Sequence, residues 1–484
     1  MFETIFGFSL DLSFWQEIFS QTPNEAVRDL FAIFGWPITA LVFFFMGVKT
    51  WVLYRQRRYM KSWKWVLLAI DIPPMFIQSP KAVEQIFAHF SGAHIGPNIT
   101  EKYRMGRRQK SFSLEIISIE GYIQFLIRTE IEFRDLVEAA IYAQYPEAEI
   151  TEVEDYVDGI PSLYPNSEYN VFGAEFHLEK AETFPIRTYP NFEYSLSKDV
   201  VFSDPMAAIL ENFTRVGAGE NFWLQIILRP TGSGWKEDGI ALVKKIVESK
   251  GAALSKVQSG GGGLGFSIAS FFTGIPIKLA DTARQIWDWN FEAGGESVAK
   301  PDDPLGRVME LTPGNKTIIE AIEEKISKVG FKSKIRVLYA ARNEVFNSSR
   351  CFDGFVGALN QFNVQSRNAI VPYKLTKLHY AFRDMRLGWL KSKFVRAFKR
   401  RLIRPGGKPF VLNIEELATL WHFPLPFVKA PMVQKATAKR GEPPIDLPME
   451  TTESPIRRVI VPQPAPPEPD KPVEPPPPEE LPYG

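Results

Sequence analysis

Cysteine is almost missing: Cys351 stands alone among 484 residues. An internal disulfide and a zinc site built on several thiolates are thereby excluded. Histidine is nearly as scarce. His89, His94, His177, His379 and His422 form no H-x3-H pattern with nearby acids, so no metal ligand and no cofactor are nominated. A charge excess is lacking too. The 57 Lys and Arg meet 56 Asp and Glu, for a formal net charge of +1, so only local clusters can point to a partner.

A phosphate-binding glycine loop is also absent. A P-loop needs G-x-x-x-x-G-K-[ST], because backbone N–H groups must wrap the phosphates. In "LTPGNKTIIE" the residue before Lys316 is Asn315, and Glu310 stands where the first glycine belongs. In "PTGSGWKEDG" Trp235 precedes Lys236, and in "RPGGKPF" Pro409 follows Lys408 while Leu402 replaces the first glycine. "WVLLAID", ending at Asp71, reads as an ordinary buried strand. No ATPase and no catalytic residue are expected. Lys316 and Thr317 open an amphipathic helix with Ile318, Ile319, Ile322 and Ile326 inward.

What is present begins with an apolar run. Residues 30–48 carry no charge over 19 positions, about 28 Å as a helix and close to one bilayer core. A transmembrane helix is expected over 30–54, with Trp51 and Tyr54 at the interface. Arg55, Arg57, Arg58, Lys61 and Lys64 follow, whereas acids dominate 1–29. The positive-inside rule predicts a single-pass protein of the cytoplasmic membrane, with residues 1–29 outside and the body inside. Within 1–29, Ile5, Phe8, Leu12, Trp15 and Phe19 recur at steps of three and four, which suits an interfacial helix or a contact with a partner's helix.

After Trp63 strands and helices alternate. "WKWVLLAIDIP" reads as a strand. A helix is N-capped at Ser79 with Pro80 first. Two strands meet at Glu120-Gly121, a hairpin signal. "EIEFRDLVEAAIYAQYP" is a helix and "AEITEVEDY" a strand. The order β-α-β-β-α-β predicts a ferredoxin-like domain over 63–157. A second α+β domain is expected over 168–365. It holds a glycine-tethered insertion, 251–304, whose Ile268, Phe271, Phe272, Ile275 and Leu279 sit at helical spacing. That helix meets a membrane or partner, or packs as a lid on its own domain. Residues 462–482 hold eleven prolines in 21 positions, so 440–484 reads as a disordered linker or tail.

Between body and tail, residues 374–430 form a basic helical segment. Residues 374–404 hold eleven cations against the single acid Asp384, with aromatics interleaved. Trp389, Lys391, Lys393, Arg396, Lys399, Arg400, Arg401 and Arg404 are the candidate ligand contacts. The mix suits single-stranded nucleic acid, anionic lipid, or a solvated helix docked by its apolar side.

The stretches "FSLEIISIEGYIQFLIRTEIEFRDLVEAAIYAQYPEAEI", "ENFWLQIILRP" and "LNIEELATLWHFP" together resemble the N-terminal, non-motor half of membrane-anchored type IV secretion coupling ATPases, of the conjugative-coupling and HerA/FtsK-like class. "EELATLWHFP" is the most specific part. In that family it precedes the motor domain, and this sequence ends before one. The resemblance implies a non-catalytic membrane component of a DNA or protein translocation machine. Its partners would be a separately encoded P-loop motor, other secretion-channel subunits, single-stranded DNA and further copies of itself. A membrane-tethered nucleic-acid-binding or scaffold protein without a motor is the alternative.

Overall fold

The computed structural model describes residues 22, 25, 31, 35–73, 78–196, 199–202, 204–248, 311–377 and 383–424. The readings of 1–29 as an extracytoplasmic segment with an amphipathic helix, of 251–304 as an insertion, and of 440–484 as a tail lie outside these residues, Thr22 and Glu25 excepted. The chain divides into two compact units, Met1–Trp65 with Ala93–Lys110, and Val66–Gly92 with Ser111–Gly484.

In the first unit, helix α1 (Trp36–Met60) is long and apolar enough to cross a membrane. Its 25 residues give about 37 Å of helix. Ile38, Leu41, Phe43, Phe44 and Met46 are exposed around its circumference, as expected of a helix whose solvent is not water. Expected to end at residue 54, the helix runs on through Arg55, Arg57 and Arg58 to Met60, because nothing in "RQRRYM" breaks it. A short wide helical turn, Glu101–Met105, lies against it. The Trp51 indole donates to the carbonyl of Tyr103 at 3.2 Å and Arg55 Nε to that of Arg104 at 2.6 Å. Gly106 closes the turn with φ 71°, and a Cβ there would overlap the backbone of Arg55.

The second unit is an α+β structure on one antiparallel sheet. The elements in chain order are β1 (Trp65–Asp71), α2 (Pro80–Phe90), β2 (Phe112–Ile119), β3 (Tyr122–Glu130), α3 (Arg134–Gln144), β4 (Glu149–Glu152), β5 (Tyr169–Leu178), β6 (Glu193–Leu196), β7 (Asp199–Phe202), α4 (Met206–Thr214), β8 (Glu220–Pro230), α5 (Gly234–Glu248), α6 (Pro313–Ser327), β9 (Gly330–Arg342), α7 (Ser348–Asn360), β10 (Ile370–Leu375), α8 (Arg383–Lys399), β11 (Phe410–Asn413) and α9 (Ile414–Leu420). The strand order is β10-β5-β9-β8-β2-β3-β1-β4, with β11 added to β9, while β6 and β7 pair separately.

This order contains the ferredoxin-like pattern twice. β1-α2-β2-β3-α3-β4 is laid out as β4-β1-β3-β2, the split βαβ arrangement. β5-α4-β8-β9-α7-β10 is laid out as β10-β5-β9-β8 in the same way. α5 and α6 stand where the second module's central hairpin would turn. The modules join edge to edge through β2 and β8, where Glu115 lies opposite Gln225. "FSLEII" (112–117) and "FWLQII" (222–227) occupy matching places on the two central strands. Glu115 and Gln225 are the matched pair at the centre, on an approximate two-fold axis. The outer edges resist further pairing. β4 has only four residues, and β10 carries Pro372 at a break in register, features that blunt edge strands.

α2, α4 and α7 cover one face of the sheet. Phe90 stacks on Phe112, and Phe213 and Phe355 meet Phe222 edge-on. The other face carries an apolar patch in which Ile117, Leu126, Val171, Trp223, Leu338 and Ala340 pack with Val395 and Phe398 of α8. α5 and α6 form a smaller core of Leu242, Ile246, Ile318, Ile319 and Ile322. Thr312 caps α6 by accepting from the Asn315 amide. Lys316 lies in the first turns of this packed helix rather than in a phosphate loop.

Candidate functional site

α8 divides its residues by side. Gly388, Ser392, Val395 and Phe398 recur at steps of three and four and are buried. The Ser392 hydroxyl accepts from the Tyr164 amide at 2.8 Å and donates to the Gly388 carbonyl at 2.8 Å. Phe394 lies over Gly173 of β5, where a Cβ would collide with its ring. Any side chain there would hold the helix off the sheet.

The outward side has the same spacing. Arg386, Trp389, Lys393, Arg396 and Arg400 are all exposed, and about 21 Å of helix separates the first from the last. Lys393 Nζ sits 4.6 Å from the centre of the Trp389 ring, a cation–π contact that holds the indole beside the charge. Arg404 and Lys408 extend the exposed positive charge into the following loop. Residues 385–414 contain no acid. Arg396, Lys399 and Arg400 lie at the helix C-terminus, where the backbone dipole is negative and favours cations.

Three members of the sequence-based candidate set, and one further cation of the basic run, are placed differently. Arg401 is buried, and two carboxylates engage it: Nε and Nη2 donate to the two Glu115 carboxylate oxygens at 2.9 and 3.0 Å, and Nη1 and Nη2 donate to Asp155 at 2.5 and 2.8 Å. It is a core residue and not a ligand contact. Lys391 Nζ donates to Asn170 at 2.5 Å, and the half-buried Lys399 Nζ to the Ile160 carbonyl at 2.5 Å. Burial pushes the Lys399 amine down despite Asp158 and Asp155. Lys374, counted in the basic run, belongs to edge strand β10 and pairs in register with Glu175. Trp389, Lys393, Arg396, Arg400 and Arg404 remain at the surface, joined by Arg386, which the spacing of three and four would have identified.

The buried charges hold up the surface ones. Glu115 also accepts from Tyr156 at 2.8 Å and from Gln225 at 3.2 Å. Burial alone would raise the Glu115 pKa, but the Arg401 guanidinium and the Ser113 and Tyr156 hydroxyls outweigh it and hold the carboxyl below its usual range. A second cluster lies under the same loop. Arg336 donates to Glu175 at 2.9 Å and to the Pro405 carbonyl at 2.8 Å. Lys334 donates to the carbonyls of Pro405 and Gly407, at 2.5 and 2.7 Å. Burial, and then repulsion from Arg336, push the Lys334 amine down to about 8. Glu175 accepts from the Gly407 amide at 2.7 Å. The loop after α8 is thus tied to the sheet at both ends, and the exposed cations stand on a fixed frame.

"EELATLWHFP" is a core element. Asn413 and Glu416 form a reciprocal capping box at the start of α9. Glu416 pairs with the buried Lys325 at 3.0 Å, and Glu415 pairs with Lys328. Trp421 packs on Phe87 and Phe125, and His422 Nε2 lies 2.9 Å from Asp204. Every side chain from Glu415 to Phe423 is buried. Among the described residues, no group of three or more His, Cys, Asp or Glu is arranged to hold a metal ion.

One family model matches the chain, over residues 98–435, and its description is Domain of unknown function (DUF8128). The match takes in the first module from β2 onward, the whole second module, α8 and α9. Neither the curated proteins nor the solved structures compared with the chain give a match.

Proposed function

The chain belongs to the DUF8128 family, and we propose that it is a non-catalytic, membrane-anchored component of a type IV secretion-like translocation machine that holds single-stranded DNA and positions a P-loop motor. α1 is the anchor in this reading, with the N-terminus outside and the sheet in the cytoplasm. The place in a secretion machine is supported by the sequence resemblance. Contact with DNA is supported by one observation above the others, the outward row Arg386, Trp389, Lys393, Arg396 and Arg400 on α8. Cations along the row neutralise phosphates, and the indole offers a stacking surface that accepts any base. Nothing in the row reads sequence, which suits a machine that moves DNA of any sequence.

The test compares the full chain with a variant carrying Arg386→Glu, Lys393→Glu, Arg396→Glu and Arg400→Glu. Titration with a fluorescent single-stranded oligonucleotide should show tight binding at low salt, lost in the variant, while the thermal unfolding of the two proteins stays alike. Undiminished binding in the variant would remove the row from the reading. Binding to phosphatidylglycerol vesicles in place of DNA would assign the row to lipid instead.

A further inference from the structure

The first unit holds a concentration of charge that the DNA reading does not use. Residues 36–65 and 93–110 contain Lys49, Arg55, Arg57, Arg58, Lys61, Lys64, Lys102, Arg104, Arg107, Arg108 and Lys110 against one acid, Glu101. That acid is already engaged by Arg107 at 2.6 Å. Elsewhere the chain is acidic, with 46 Lys and Arg against 55 Asp and Glu, so the imbalance is local. The turn Glu101–Met105 is held at the height of Trp51 and Arg55, where the uncharged part of α1 gives way to the basic part. The turn and its approach expose two apolar side chains, Ile99 and Met105, next to the exposed cations Lys102 and Arg104. Trp51 and Tyr54 are exposed on α1 at the same height. Apolar side chains ringed by cations and aromatics at the end of an apolar helix match the boundary between hydrocarbon and headgroups.

We propose that segment Ala93–Lys110, braced on α1, is a collar that docks into the headgroup layer and selects anionic phospholipid. Ile99 and Met105 enter the acyl boundary, and Lys102, Arg104, Arg57 and Arg58 meet headgroup phosphates. This rests on the reading of α1 as a membrane span. Gly106 makes the bracing possible, because only a residue without Cβ lets the turn close on Arg55. Each cation near an anionic surface strengthens binding by about fivefold.

The experiment uses the full chain with Cys351→Ala, spin-labelled at Met105→Cys and separately at Leu41→Cys, in nanodiscs of phosphatidylcholine with or without phosphatidylglycerol. Collision with oxygen and with a water-soluble nickel chelate reports depth. The label at 41 should be oxygen-accessible in both lipids. The label at 105 should reach headgroup depth only with phosphatidylglycerol, and Lys102→Glu with Arg104→Glu should abolish that difference. Lys102→Gln with Arg104→Gln should reduce it, which guards against a misfolded reversal. A label at 105 with the same depth in both lipids, whether shallow or deep, overturns the collar while leaving the anchor intact. A nickel-accessible label at 41 overturns the anchor itself.

Discussion

Arg400 and Arg401 are adjacent, and the fold gives them opposite tasks. Arg400 is exposed at the C-terminal end of α8, one residue past its last turn. Arg401 lies just past the helix end in the left-handed region, φ 47°, with its guanidinium on Glu115 and Asp155. Breaking a buried ion pair from one side typically costs about 3–5 kcal/mol. Arg401→Met should therefore lower the unfolding free energy of the full chain by about that much in denaturant titrations followed by tryptophan fluorescence. Arg400→Met should stay within about 0.5 kcal/mol. Adding Glu115→Leu to Arg401→Met should recover most of the loss; equal losses at 400 and 401 would contradict the assignment. A pH dependence follows from the same pair. The Glu115 carboxyl is held below its unfolded value of about 4.3, so its contribution is complete above that value and falls as pH drops through the depressed pKa. Without the Arg401 guanidinium the buried carboxyl of Arg401→Met rises above its usual range, so the stability gap between wild type and Arg401→Met should narrow on acidification from above about pH 4.3 downward. The sequence reading set both among the candidate contacts and did not separate them. Helical spacing loses its meaning once the helix ends at Lys399, and the alternation in "FSLEIISI" points Ser113 and Glu115 to a face that water would occupy if α8 did not cover it.

At the scale of elements, α8 is a cover whose outer side carries the proposed function. Its seat depends on Gly173 beneath Phe394. Gly173→Val should overpack this contact and cost about 1–3 kcal/mol. It should also weaken oligonucleotide binding although residue 173 is far too buried to touch a ligand; measured binding and stability that are both unchanged would mean that the helix is not seated as described. The helix itself was legible, as were its apolar and basic sides. What the sequence could not separate was display from tethering. Lys391 and Lys399 look as available as Lys393 and Arg396 until Asn170 and the Ile160 carbonyl, more than two hundred positions away in the chain, are brought beneath them. The hairpin at Glu120-Gly121 was readable for the opposite reason. Its signal is local, and both residues take the positive φ that such a turn needs.

On the scale of the whole second unit, two ferredoxin-like modules share one sheet. The first was legible in the order of its elements. The second was readable only as α+β, because α5, residues 249–310 and α6 interrupt the pair β8 and β9 that identifies the pattern. "FSLEII" and "FWLQII" were the signal that could have revealed the repeat. The fused sheet is a rigid platform. Its two central charge clusters fix the loop after α8, so the exposed cations should act as separate, additive contacts. Additivity makes the central claim countable. The measurement is the salt dependence of single-stranded oligonucleotide binding by the full chain, compared with single substitutions at Arg386, Lys393, Arg396 and Arg400 to Gln. Wild type should give a log–log slope of roughly −3, since four phosphate contacts contribute about −0.7 each. Every single substitution should make the slope shallower by about 0.7. A wild-type slope near zero, or single substitutions that leave it unchanged, would contradict the account.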